Sequence, residues 1–261
     1  MSKSANTALH MVQLHLDAKG LTTLGKMLHL PLLQTDTGYL THCALGEVFG
    51  DDAPKPFSIE SAGSNGQHVR VLGYTAADAD TLQTNAQLDA SPTVYEICDW
   101  DRLAAKPMPA TFPEGMDLHF ELRACPVVRK ASAGEGTNQQ GKKRTWEAGD
   151  ELDAFLAKAW TQPEKDLDRE KVYRTWLSDQ FDHRGGATVD PDDIAMTRFS
   201  IERMTRRTHG DDRSVETIKR PDVTLTGTLQ VTDGDAFVDL LRSGLGRHKS
   251  FGYGMLKVRR A

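Results

Sequence analysis

Two periods of apolar spacing, the two-residue period of a strand and the near-four-residue period of a helix, alternate along this chain in one order, and the order runs through twice. The first pass opens at 10–16, where Met11, Val12, Leu14 and Leu16 read as a strand. Residues 18–34, interrupted by Pro31, read as a loop or short helix. A helix follows over 38–49, with Asp36 or Thr37 as its cap, and Gly50-Asp51-Asp52-Ala53-Pro54-Lys55-Pro56 stops it. Strands are expected over 57–61 and 68–74, around the turn chemistry of Gly63-Ser64-Asn65-Gly66. A helix over 76–87 and a strand over 93–98 complete the pass.

Residues 103–113 hold three prolines and read as a linker. The second pass then places strands at 116–125, 197–204, 223–231 and 253–258 and helices at 167–181 and 235–241. Strand-helix-strand-strand-helix-strand is the ferredoxin-like unit. The expected class is therefore α+β, with two tandem ferredoxin-like (βαββαβ) domains at 1–102 and 116–261, joined by 103–115. A chain of 261 residues is long enough for one large core or two small ones. One piece is surplus to the scheme. Residues 132–144 are polar and glycine-rich and read as a mobile surface loop, and 150–160 reads as a short helix carrying Leu152, Phe155, Leu156 and Trp160. Together they read as an insertion in the second domain, over about 131–166.

The connection into the last strand is unusual: Gly244-Leu245-Gly246-Arg247-His248-Lys249-Ser250-Phe251-Gly252-Tyr253-Gly254. Its glycines permit positive φ and close backbone approach. Successive free N–H groups in such a turn can form an anion nest, to which Arg247 and Lys249 add full charge. A Rossmann or Walker loop runs from strand to helix, whereas this one runs from helix to strand. The choice from spacing alone lies between a connector and a clamp on a phosphate backbone.

Charge bears on that choice. The whole chain carries −5, so any nucleic-acid surface must be local. Residues 196–261 hold 13 Lys and Arg against 8 Asp and Glu, which leaves the rest of the chain acidic. A second basic run, Arg198, Arg203, Arg206, Arg207, His209, Arg213, Lys219 and Arg220, reads as a hairpin tip or long loop. It is either a solvated charged loop or an arm that tracks RNA phosphates.

On the first long helix, Tyr39 and His42 stand at i and i+3 and share a face. A histidine titrates near neutrality and can move a proton, and a tyrosine hydroxyl can orient or protonate an oxygen. The alternative is an ordinary amphipathic helix with its rings at a domain edge. His10, His15, His29 and His183 make no HxH or HExxH pattern, so no metal site is expected. Cys43, Cys98 and Cys125 form no CxxC pair and fit a reducing compartment. No stretch has membrane-span length and no apolar signal core follows Met1-Ser2-Lys3-Ser4, so a cytoplasmic location is expected.

Three motifs in this order resemble the CasE-type CRISPR repeat endoribonucleases, the Cas-six enzymes of the type I-E Cascade complex in the RAMP superfamily. They are Tyr39-x-x-His42, the strand Phe120-Glu121-Leu122-Arg123-Ala124-Cys125-Pro126, and the stretch from Gly244 to Leu256. The likeness spans both domains. It departs at Cys125, where asparagine is frequent, and in the length of 134–165. A repeat endonuclease of another CRISPR subtype is also compatible. The resemblance implies a RAMP-type pair of ferredoxin-like domains and a metal-independent endoribonuclease without cofactor. The expected partners are CRISPR repeat hairpin RNA, as precursor and as mature guide, and the other Cascade subunits. The cut would follow 2′-OH attack and leave a 2′,3′-cyclic phosphate. His42, Tyr39 and Lys249 become the expected catalytic residues. Arg123, Arg129, Arg203, Arg206, Arg207, Gly244, Gly246, Arg247, His248, Ser250, Gly252 and Gly254 become the expected RNA-binding residues. A non-catalytic RNA-binding subunit of a ribonucleoprotein, or a structural or nucleotide-binding interaction protein, is the competing reading.

Overall fold

The computed structural model describes residues 8–33, 35–60, 66–161, 167–207 and 215–261. Its first unit begins with β1 (His10–Asp17), α1 (Ala18–Met27) and α2 (Thr37–Phe49), then β2 (Phe57–Ile59), β3 (His68–Thr75), α3 (Ala79–Asp89), α4 (Pro92–Tyr95) and β4 (Ala104–Pro107). The four strands form an antiparallel sheet in the order β2-β3-β1-β4, the ferredoxin-like order.

Local chemistry explains where the helices start. An aspartate stands at the N-cap of α1, α2 and α3, and each accepts from a backbone N–H of the first turn. Asp17 takes Gly20 N at 2.6 Å, Asp36 takes Tyr39 N at 3.0 Å and Asp78 takes Thr81 N at 2.9 Å. Asp36, not Thr37, is therefore the cap of α2. The apolar residues of β1 (Val12, Leu14, Leu16) pack with Leu45, Val48, Val71 and Leu82 in one core.

The strand expected over 93–98 is instead the short helix α4 and the turn after it. Ser91-Pro92 is a helix start, with proline at the first helical position. Val94, Ile97 and Cys98 are buried at i, i+3 and i+4, a helical spacing. The fourth strand, β4, lies in the stretch that reads as linker. It pairs only with β1, and an edge strand tolerates Pro107.

The second unit contains β5 (Asp117–Ala124), β6 (Val127–Arg129), β7 (Gly134–Thr137), β8 (Lys143–Trp146), β9 (Glu151–Asp153), α5 (Ala154–Thr161) and α6 (Arg169–Arg184). β10 (Ala187–Val189), β11 (Ala195–Arg207), β12 (Val215–Val231), α7 (Gly234–Ser243) and β13 (Leu256–Arg260) follow. β11, β12, β5 and β13 give the same strand order as the first unit, and β10 adds to the other end of β12. The two tandem ferredoxin-like units expected from the element order are thus present. The core of the second unit joins Leu118, Phe120 and Leu122 to Tyr173, Leu177, Phe181, Phe237 and Leu241.

The long hairpin β11–β12 stays in register from Arg198↔Thr224 to Arg207↔Val215. His209 and the Gly210-Asp211-Asp212 turn expected at its tip lie outside the described residues.

The glycine-rich stretch at 132–144 is not irregular loop: β7 and β8 pair as a hairpin. Trp146 buries against Leu152, Ala157 and Trp160, a small core that stretches of this polarity do not announce. β9 pairs with β6, and Asp153 accepts from Arg169 Nη1 at 2.8 Å and Tyr173 Oη at 2.9 Å, tying the insertion to α6.

The two units are bonded to each other. Tyr74 Oη of β3 donates to the Leu256 carbonyl of β13 at 2.9 Å, and Lys257 Nζ meets Glu60 at 2.9 Å.

Candidate functional site

α2 presents Tyr39 and His42, both half-buried, on one face; their ring centroids lie 6.3 Å apart. Ala44, Leu45, Val48 and Phe49 on the other face fill the core. The helix is thereby anchored while the two polar rings stay accessible. The connection from α7 to β13 arrives against this face. Phe251 stacks on Tyr39 with centroids 5.7 Å apart and planes at 24°. The approach is close because α2 carries Gly38 there: a Cβ on it would lie 2.5 Å from the Phe251 carbonyl oxygen. Two segments about 210 residues apart in sequence therefore make one site.

The glycines of the connection all have positive φ: 66° at Gly244, 72° at Gly246, 82° at Gly252 and 82° at Gly254. Gly254 shows why no other residue fits, since a Cβ would sit 2.3 Å from the Leu245 carbonyl oxygen. His248, without that freedom, nevertheless holds φ 61° and opens the short 3-10 turn Lys249–Phe251, which contains Ser250.

The electrostatics are set by burial and by cations. Burial first, and the Lys55 ammonium second, hold the His42 imidazole below its ordinary value of 6.5. Lys249 is also held below its ordinary value, by burial and then by Arg184 and Lys55. Its Nζ donates to the Ser243 carbonyl at 2.7 Å. Lys55 thus acts on both His42 and Lys249, from a segment whose Pro56 packs on Gly244.

Beside this junction lies an open cleft of about 660 Å³. Arg129, Arg184, Arg220, Arg247, His248 and Lys249 line it, opposed by Asp150 and Glu151. Gly246 and Phe251 form part of its wall. Phe251 also borders a second cleft that Arg123, Arg198 and Arg203 line.

Most of the expected residues converge here. Tyr39, His42, Lys249, Arg247, His248, Ser250, Arg129 and the four glycines surround the junction and its basic cleft. Arg123 does not offer a free cation. Its guanidinium forks onto the buried Asp222, with Nε at 3.0 Å and Nη2 at 2.8 Å from the two carboxylate oxygens, and lies 4.6 Å over the Tyr253 ring. Arg203 is exposed on β11, and Arg206 and Arg207 lie further along the same strand. The side chains of Arg206 and Arg207 lie outside the described residues.

Four participants escape sequence reasoning. Lys55 reads as part of a helix stop and Glu151 as part of an insertion, while Arg184 and Phe251 carry no role in the sequence reading. Only Phe251 leaves a signal, an aromatic between Ser250 and Gly252 in an otherwise polar turn. Among the described residues no helix is long and apolar enough to cross a membrane.

The family model for CRISPR associated protein matches residues 9–260. No curated protein matches the chain in sequence. Solved structures share the fold. Thermus thermophilus Cse3 bound to an RNA representing a pre-cleavage complex aligns at TM-score 0.58 and 17% identity, over 97% of this chain and 99% of that one. A CRISPR endoribonuclease Cse3 bound to 19 nt RNA aligns at 0.58 and 17%, over 96% and 99%. A chain of a CRISPR RNA-guided surveillance complex, pre-nicking, aligns at 0.54 and 14%, over 97% and 100%.

Proposed function

From the premise that this chain belongs to the CRISPR associated protein family, we propose that it is a metal-independent endoribonuclease that binds the stem-loop of CRISPR repeat RNA, cuts the precursor, and stays on the mature guide as a subunit of a Cascade-type complex. One observation carries the reading: a proton-moving pair on α2 and a cationic, glycine-built turn, far apart in sequence, meet through the Tyr39–Phe251 stack. The shared fold with RNA-bound Cse3 is consistent with it.

The chemistry follows from the charges. His42 is neutral at pH 7 because burial and Lys55 disfavour its protonation. It accepts the proton of the ribose 2′-OH as that oxygen attacks the adjacent phosphorus. The bond from phosphorus to the 5′-oxygen breaks, and the 5′-oxygen takes a proton from the imidazolium just formed, with Tyr39 orienting it. The products are a 2′,3′-cyclic phosphate and a 5′-hydroxyl. Such acid–base work is worth about 10²–10⁴-fold. Lys249 and the backbone around Gly246 meet the charge that grows on the phosphorane oxygens, about 10²–10³-fold for one well-placed donor. Arg129, Arg184 and Arg247 hold neighbouring phosphates, and Arg203, Arg206 and Arg207 on the hairpin track the RNA backbone. Arg123 supports this surface indirectly, by fixing β5 to β12 through Asp222.

The test is cleavage of the host's repeat RNA by wild type and His42→Ala with EDTA present. The expected result is a cyclic phosphate from wild type and a loss of about 10²–10⁴-fold in the variant, with hairpin affinity within a few-fold. Tight binding without cleavage by either protein would establish the non-catalytic RNA-binding subunit instead. No binding by either would leave the interaction protein.

A further inference from the structure

The insertion has no part in the chemistry described above, yet it places one carboxylate against the glycine-rich turn. Glu151, on β9, reaches three basic side chains from two other elements. Arg247 Nε donates to its Oε1. His248 Nε2 lies 2.9 Å from its Oε2, and Arg220 Nη2 of β12 lies 3.5 Å from the same oxygen. The Glu151 side chain is only 12% exposed. Its partners lie 96 residues or more along the chain for Arg247 and His248, so no local preference arranges them.

The support beneath Glu151 is tied to its neighbours on both sides. β9 pairs with β6 in the register Arg129↔Glu151, and two residues on, Asp153 is bonded to Arg169 and Tyr173 of α6. The turn it grips carries backbone strain. His248 holds a left-handed backbone that a non-glycine residue keeps only when its surroundings impose it. The His248 ring then meets Phe251 edge to face at 6.0 Å, and Phe251 stacks on Tyr39. A continuous line of touching groups runs from Glu151 through His248 and Phe251 to Tyr39 and the His42 face.

We propose that the insertion is a working part of the reaction site: Glu151 is a positioning residue that holds Arg247 and His248, and through Phe251 the Tyr39/His42 face, in the arrangement cleavage uses. The inference rests on the functional reading above. Glu151 touches no reacting atom. The carboxylate keeps its charge throughout the neutral range, because the His248 imidazole, and after it Arg247, hold its pKa down at about 2 against the burial that raises it.

The test uses the full chain, with Glu151→Gln, Glu151→Asp, and Glu135→Gln on the exposed strand β7 as a control. Three quantities are read: repeat-hairpin affinity, single-turnover cleavage, and backbone amide exchange over 244–252 in the RNA-free protein. In Glu151→Gln, exchange in the turn should quicken at least about 10-fold while β1 and β3 stay as in wild type, which shows that the chain remains folded. Cleavage of bound RNA should slow about 10- to 100-fold, with affinity within about 3-fold, since a small misplacement of reacting groups is costly. Glu151→Asp, which keeps the charge, should recover part of the rate, and Glu135→Gln should match wild type. Unchanged exchange overturns the proposal. So does quickened exchange with an unchanged rate, because the loop's order would then not serve the reaction. Should wild type itself not cleave, the functional reading fails and the positioning role with it, while the exchange arm still decides whether Glu151 orders the turn.

Discussion

The same topological connection is built twice in this molecule, and the two versions share almost nothing. Each ferredoxin-like unit must join its second helix to its last strand. In the first unit, residues 90–103 do so without a glycine, with more acidic than basic residues. Tyr95 and Trp100 stack there at 4.5 Å, and Trp100 meets Phe49 at 5.9 Å, so the connection closes onto its own core. In the second unit, 244–255 carry four left-handed glycines, Arg247 and Lys249, and the loop stacks Phe251 on the other unit. Fold did not choose which connection meets the Tyr39 face of the other unit, since the strand order is identical in both. Backbone permissiveness and local charge did.

The comparison is broken most sharply at Gly254. Alanine there would put Cβ against the Leu245 carbonyl at a φ that side chains rarely adopt. The loop must shift, at a cost on the order of 1–3 kcal/mol. Cleavage should fall about 10²-fold, read by single-turnover kinetics beside a thermal melt. The matching change in the first unit, Trp100→Ala, should lower the melting temperature through lost packing, about 3–5 kcal/mol at most for a wholly buried ring and less for this half-buried one. Its rate on bound RNA at a permissive temperature should stay close to wild type. Equal losses of rate in both variants would mean that the two connections serve stability alone.

A milder change sharpens the role of charge. Arg206→Ala with Arg207→Ala, on the hairpin arm outside the junction, should weaken hairpin binding and lower the slope of log affinity against log salt by about 2. The bound-state cleavage rate should hold. A slope equal to wild type would confine RNA recognition to the junction and its basic cleft.

What could be read in advance divides along the distance between partners. Aspartate caps at 17, 36 and 78, and at 233 for α7, are local signals, because cap and donor N–H lie three residues apart, although only the one at 36, with Thr37 as its alternative, reads as a cap. The Tyr39/His42 face is legible for the same reason. The glycine-rich turn was legible as backbone, since positive φ leaves its mark on composition. What it touches was not. The fork between Arg123 and Asp222 spans 99 residues and ties an expected RNA ligand to the neighbouring strand. Lys55 acts on His42 from a segment held by β3, its backbone N–H donating to the Tyr74 carbonyl at 2.8 Å. β4 was hidden for another reason: Ala104-Ala105-Lys106-Pro107 has no strand signature, and its pairing with β1 supplies what its side chains do not. Residues 93–98 misled because a short apolar run fits a strand or a helix equally, and Ser91-Pro92 decided it.

The smallest expected effect tests how the two units share one charge field. Lys55 belongs to the first unit, Lys249 to the second, and both lie near enough to interact. If His42 acts as the base, its working form is unprotonated, and cleavage should rise with pH to a plateau, with a midpoint below 6.5. Lys55→Ala removes a positive charge that opposes protonation of the imidazole. The proton then binds more tightly, the midpoint moves up, and the rate at the acid end falls. The midpoint should stop short of 6.5, because burial is the larger cause and remains. Lys55→Arg, which keeps the charge, should leave the midpoint where it was. The measurement is single-turnover cleavage from acid to neutral pH with RNA saturating, so that altered affinity does not enter. A downward shift in Lys55→Ala would contradict the sign of the charge interaction. A rate that falls with rising pH over the same range would make the protonated imidazole the working form and pass the base role to another group.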